Sequence, residues 1–98
     1  MAESTIKRSN DGWFSRTFGD YTNTASSKAD AIKRIANDLP AAVGVHLGRF
    51  AYSGVNCLIV LKSGNADYCA AFGFDYYGKV FYICKTSGTW GTLKEILS

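Results

Sequence analysis

Four segments in the middle of the chain alternate apolar and polar side chains with a period of two, the spacing of a β-strand. They are residues 43–52, 55–62, 67–74 and 79–85. The turns between them are short and rich in Gly, Ser, Asn and Asp. Because parallel neighbours need crossovers of about a dozen residues, turns this short predict an antiparallel four-stranded meander.

The second of these segments differs from the others because it is apolar on both of its faces. Residues 55–61 have Val55, Cys57, Ile59 and Leu61 on one parity and Leu58 and Val60 on the other. Such a run is typical of a strand that is covered on both sides. We therefore expect it at the centre of the sheet, with a helix on one face and either an N-terminal hairpin or a C-terminal helix on the other.

A helical pattern is clearest at residues 27–38. Its apolar residues follow the spacing i, i+3, i+4 and i+7: Ile32, Ile35, Ala36 and Leu39. Ser27 is placed as the N-cap, and Asp30 stands three residues later, as in a capping box. Pro40 ends the helix, because the residue before a proline avoids the α region.

The two ends of the chain complete the predicted fold. Residues 4–8 and 13–18 flank Ser9-Asn10-Asp11-Gly12, and the Asp-Gly pair predicts a hairpin. Thr92 and Glu95 repeat the capping-box spacing and predict a short C-terminal helix. The expectation is one α+β domain over residues 1–98, of order β-β-α-β-β-β-β-α, with an antiparallel sheet and one long helix packed on a face.

The side chains needed for common chemistries are scarce. His46 is the chain's one histidine, which excludes sites that require two. Cys57, Cys69 and Cys84 are an odd number of cysteines within strand patterns, so we expect reduced thiols that act as small buried apolar residues. Glycine motifs that cradle phosphate are absent from the sequence. We therefore expect no enzyme, no cofactor and no metal.

The sequence also carries an expectation about location. The N-terminus lacks an apolar leader, and the longest wholly apolar run, residues 57–61, is far shorter than the ~20 residues that span a bilayer. Together with cysteines that read as reduced thiols, this predicts a cytoplasmic protein without a membrane partner.

Tyrosines outside the predicted core are the strongest functional signal. Tyrosine supplies a large contact area at low entropic cost and is enriched at recognition surfaces. The candidates for binding a protein partner are Tyr76, Tyr77, Tyr52 and Tyr21. We expect a non-catalytic protein that occludes or bridges a protein partner, as inhibitors and adaptors encoded by mobile elements do. Packing of Tyr77 back onto Phe74 or Val80 is the structural alternative.

Nucleic-acid binding is the alternative function. The predicted hairpin interleaves cations with an aromatic ring, a combination that holds phosphates and stacks bases. The residues concerned are Lys7, Arg8, Trp13 and Arg16. A net charge of +3 permits an anionic partner without requiring one. The sequence leaves the oligomeric state open.

Overall fold

The structure, a computed structural model, describes residues 17–96. Strands make up 49% of this part and helix 14%, so the fold is mainly β. The elements in chain order are β1 (Thr17–Asp20), α1 (Lys28–Asp38), β2 (Gly44–Ala51), β3 (Val55–Lys62), β4 (Cys69–Asp75), β5 (Val80–Thr86), β6 (Thr89–Trp90) and β7 (Lys94–Ile96).

All of the strands join one curled mixed sheet of order β1-β2-β3-β4-β5-β6, and β7 also pairs with β5. Strands β2 to β5 pair antiparallel in sequence order, which confirms the predicted meander. The register places Leu47 opposite Ile59, Ile59 opposite Phe72, and Phe72 opposite Tyr82. As expected, β3 lies inside the sheet, between β2 and β4.

The long helix forms where the sequence predicts it. Ser27 is the N-cap, and its hydroxyl oxygen accepts a hydrogen bond from the Asp30 N–H at 3.1 Å. The Asp30 carboxylate accepts from the N–H of Ser26 at 3.1 Å, one residue earlier than in a capping box, and pairs with Arg34 at 3.0 Å. The chain leaves the helix at Leu39, just before Pro40.

One face of the sheet and the inner side of α1 together make the core. Helix residues Ala31, Ile32, Ile35 and Ala36 are buried against alternating sheet residues. Those sheet residues are Phe50, Leu58, Val60, Ala71, Phe81 and Ile83. Leu39 is only partly buried beside this cluster, so the predicted packing of Ile32 and Ile35 is confirmed and that of Leu39 holds in part.

Two lysines attach the ends of α1 to the sheet. Lys28, in the first helical turn, pairs with Asp75 of β4 at 3.1 Å and lies 4.8 Å above the ring of Phe81. Lys62 of β3 donates to the carbonyl oxygen of Ala36 at 2.7 Å. The same oxygen accepts from the Leu39 N–H at 3.3 Å, so Lys62 supplies its second hydrogen bond and places a positive charge at the negative end of the helix dipole.

The predicted arrangement of elements is wrong at both ends. The expected C-terminal helix is replaced by β6 and β7, because Ser87 and Gly88 take positive φ angles of 51° and 80° and turn the chain back along β5. There, pairing satisfies the backbone groups on the outer edge of β5, which an isolated helix of this length would leave open.

At the other end, β1 pairs parallel with β2, so the sheet is mixed and not purely antiparallel. The connection from Asp20 to Gly44 contains α1 and is long enough for a parallel crossover. The rest of the predicted hairpin, residues 4–16, lies outside the described residues.

Shortening the Ile35 side chain tests the packing of the helix. We expect Ile35→Ala to lower the free energy of unfolding by about 2–4 kcal/mol, because the site is almost fully buried. Urea denaturation followed by circular dichroism measures this. Asn37→Ala, on the exposed side of α1, is the matched control and should leave the unfolding midpoint nearly unchanged. An unchanged midpoint for Ile35→Ala would contradict the described core.

Gly73 tests the close approach of β3 and β4. A Cβ at this position would collide with the carbonyl oxygen of Cys57 and would lie 2.7 Å from the ring of Phe81. We expect Gly73→Ala to destabilise the protein by about 1–3 kcal/mol, the usual cost of overpacking. Gly44→Ala is the control, since its Cβ would come no nearer than 3.5 Å to His46. Equal thermal midpoints for the two variants would refute this account.

Candidate functional site

The meander has a second face, opposite α1, over which no described helix or strand lies. Side chains alternate along a strand, so the residues between the core positions of β2 to β5 point to this side. Strand register arranges them in three rows. The rows are Val45, Leu61, Ala70, Cys84; Leu47, Ile59, Phe72, Tyr82; and Arg49, Cys57, Phe74, Val80. This surface is termed the open face.

A groove of about 600 Å³ runs along the open face. Gly48, Leu58 and Gly73 also line the groove. These strand positions face α1, so it is their main chain that forms the floor of the groove. The other lining residues belong to the open face or to the β4–β5 turn: Leu47, Arg49, Cys57, Ile59, Phe72, Phe74, Tyr76 and Val80. The groove is therefore apolar along its length, with Arg49 as its charged side chain.

The lining is open to solvent to a degree that is unusual for large apolar side chains. Phe72 is 39% exposed, Val80 43% and Phe74 48%. Single exposed apolar residues are ordinary, whereas a contiguous group of them marks a surface that binds something. The rows cover roughly 300 Å², taking four strands about 4.8 Å apart and five residues of about 3.3 Å each. Patches of about 300–600 Å² are often functional.

Charge on the open face has one sign. Arg49 is exposed, and the ion pairs found within residues 17–96 join other groups, Lys28 with Asp75 and Arg34 with Asp30. Lys94 of β7 lies opposite Tyr82 and adds a second cation at the far side of the middle row. None of the three rows contains a carboxylate. A group that covers this face meets apolar side chains and positive charge.

Asp75 builds the turn that places Tyr76 at the end of the groove. Its Oδ1 accepts from the N–H groups of Lys79 at 3.0 Å and Tyr77 at 2.9 Å, and its Oδ2 pairs with Lys28. These contacts, the Lys79 N–H first among them, hold the pKa of the Asp75 carboxyl below its usual value of 3.8. The Tyr76 N–H donates to the carbonyl oxygen of Val55 at 3.2 Å.

The structure separates the four tyrosines that the sequence singles out. Tyr76 lines the groove. Tyr77 is 79% exposed, and its ring lies so near Gly54 that a Cβ added to this glycine would be 3.2 Å from it. Tyr52 and Tyr21 pack at the edge of the core, Tyr21 edge-on to Phe50 with ring centroids 6.4 Å apart. Tyr76 is thus the tyrosine that lines the groove, and a role for each of the four in binding stays a prediction.

The residues of the alternative hypothesis, Lys7, Arg8, Trp13 and Arg16, lie outside the described residues. Nothing in residues 17–96 therefore tests whether they contact nucleic acid. Across those same residues, no helix is long and apolar enough to cross a membrane.

All three cysteines are free thiols. Cys57 is half-buried in the groove, and burial raises the pKa of the half-buried Cys69 thiol. The prediction that each fills a buried position is wrong for Cys84, which is exposed on the open face. Its strand position is apolar in pattern, yet no described element covers that side.

The open face itself is not among the features predicted from the sequence. The signal lies in β3, β4 and β5, where the residues of the open-face parity are almost all apolar although the other parity already supplies the core. That pattern predicts strands whose two faces are both covered, and the N-terminal hairpin or the C-terminal helix is the element expected on the second face. In the structure β6 and β7 extend the sheet sideways and leave the second side of β3 without a cover from residues 17–96.

Comparison of the chain with protein families, with curated proteins and with solved structures found no match.

The Asp75 turn makes stability depend on pH. A carboxyl whose pKa is lowered by folding stabilises the protein above its unfolded value of 3.8, and that contribution is lost as the pH falls through the folded pKa. We expect Asp75→Asn to lower the thermal midpoint at pH 7 and to reduce its further fall between about pH 5 and pH 2. Asp67→Asn, an exposed carboxylate outside the ion pairs, is the control. If the thermal midpoints of wild type and Asp75→Asn fall by the same amount between about pH 5 and pH 2, this role is contradicted.

Proposed function

We propose that this protein binds another protein and that the open face receives an apolar segment of that partner. The observation that carries the proposal is the groove, where Ile59, Phe72 and Phe74 stand together and exposed. Burying such side chains on association is favourable by roughly 25 cal/mol per Å² of apolar surface. The partner segment would be occluded while it is bound.

A small ligand fits the groove less well than a protein segment does. Pockets for small molecules usually bury 70–90% or more of the ligand's surface. Here Phe74 at 48% exposure and Tyr76 at 62% stand at an open groove, so a small ligand would keep much of its own surface in water. A longer segment gains contact along all three rows of the open face.

A second copy of the chain is also disfavoured as the occupant. Two open faces packed together would bring Arg49 and Lys94 of each copy into an interface whose rows supply no carboxylate. A cation that is covered without a partner opposes association.

Phe72 lies in the middle row and is the best position for a disruptive variant. Its ring is 6.2 Å from that of Tyr82 and 39% exposed, so a lysine can extend into water without entering the core. Val43→Lys makes the same change at a residue that is 80% exposed, outside the three rows, and is the matched control.

The experiment is affinity capture from a lysate of the source cells, with wild type, Phe72→Lys and Val43→Lys as baits. We expect a protein held by wild type and Val43→Lys and lost with Phe72→Lys. Its measured Kd should rise about tenfold or more, since truncating an aromatic anchor typically costs about 2 kcal/mol. Circular dichroism must show all three baits folded.

Three results would overturn the proposal. Equal capture by all three baits would place binding elsewhere on the chain. Capture that nuclease treatment abolishes would favour the basic N-terminal residues and a nucleic acid. A wild-type dimer that Phe72→Lys converts to monomer in sedimentation would make a second copy the occupant.

A further inference from the structure

We infer that the segment received by the open face is an amphipathic α-helix with a carboxylate placed to pair with Arg49. This inference rests on the proposed function and specifies the partner's chemistry. It follows from three features of the open face: its backbone surroundings, its width and its charge.

Backbone hydrogen bonding favours a helix over an extended segment. The groove presents apolar side chains, and the main-chain groups in its floor belong to strands that are already paired. An extended peptide laid on this face would lose water from its own N–H and C=O groups without gaining partners, which is costly. A helix satisfies these groups internally.

Strand addition at an edge is the usual way in which a sheet binds an extended peptide. The outer edge of β5 is closed to it, because β6 pairs with Lys85 and Thr86 while β7 pairs with residues 80–82. Among the described strands, the edges of the sheet are formed by β1, which pairs only with Arg49, Phe50 and Ala51 of β2, and by β6 and β7. A strand added at any of these edges would extend the sheet sideways, as β6 and β7 do, and would leave the apolar rows uncovered.

The dimensions of the open face agree with this. Four strands about 4.8 Å apart give a surface roughly 14–19 Å wide. A helix with its side chains is about 10–12 Å across. On the other side of the same strands, α1 already packs in this manner through Ile32 and Ile35. A second helix would cover the second apolar side of β3, giving the helix–sheet–helix layering typical of strands that are apolar on both faces.

Charge sets the remaining requirement. Arg49 stands in a row with Cys57, Phe74 and Val80, so a helix seated on those residues takes water away from its guanidinium group. A guanidinium group offers five N–H donors and pairs with a carboxylate through two parallel hydrogen bonds. An Asp or Glu beside the apolar stripe of the helix would satisfy it. Residues 1–16 of the chain itself are poorly suited, because they hold more cations than carboxylates.

A displayed library of random peptides tests the inference directly on the open face. Peptides of about 16 residues, which span roughly 24 Å as a helix, are selected on the full-length protein after removal of those that also bind Phe72→Lys. We expect the enriched sequences to have apolar residues at i, i+3, i+4 and i+7, with Asp or Glu next to that stripe. A scrambled peptide of equal composition is the control for each one synthesised.

Substitution of Arg49 provides the second arm. Arg49→Glu should raise the Kd of an enriched peptide, measured by fluorescence anisotropy, about tenfold, which is the scale of a lost charge pair. Replacing the acidic residue of that peptide with Lys should restore most of the affinity for Arg49→Glu and should weaken binding to wild type. Circular dichroism should show the peptide gaining helix when bound.

The outcomes separate this inference from the proposal beneath it. Enriched peptides with period-two alternation, with basic flanks or with no effect of Arg49→Glu would overturn the acidic helix and leave a protein-binding open face. A library that yields no peptide sensitive to Phe72→Lys would overturn both.

Discussion

The packing of α1 on one face of the meander is the constraint on which the rest of the structure depends. Ile32 and Ile35 bury the centre of that face, while Lys28 and Lys62 attach the two ends of the helix to β4 and β3. A small domain has a few kcal/mol of net stability, so this one layer of apolar contact accounts for much of what keeps the sheet folded.

The contacts that hold α1 also shape the candidate site. Asp75 receives Lys28 from the helix and, through its other oxygen, two N–H groups of the turn that carries Tyr76. One buried carboxylate therefore joins the core on one side of the sheet to the end of the groove on the other. The helix and the turn that carries Tyr76 thus share one hydrogen-bonded carboxylate.

Local patterns predict the parts of the fold that local physics determines. Ser27, Asp30 and the apolar spacing of Ile32 and Ile35 specify α1, and the short turns specify the meander. The C-terminal prediction is wrong because Thr92 and Glu95 match a cap, whereas the unpaired edge of β5, a tertiary feature, draws this segment into the sheet. The candidate site escapes prediction for a related reason: apolar parity in β3 does not reveal whether a cover comes from the same chain or from another molecule.

The pairing of β6 and β7 with the outer edge of β5 has a consequence for the self-association of this protein at high concentration. A sheet with one apolar face exposed and a long bare edge is a template for strand-by-strand polymerisation. Here the outermost described strands are short: β6 and β7 have two and three residues, and β1 has four, with a shift in register between Thr17 and Gly19. Short edge strands hinder strand pairing between copies, so the fold exposes the apolar open face at a lower risk of such polymerisation.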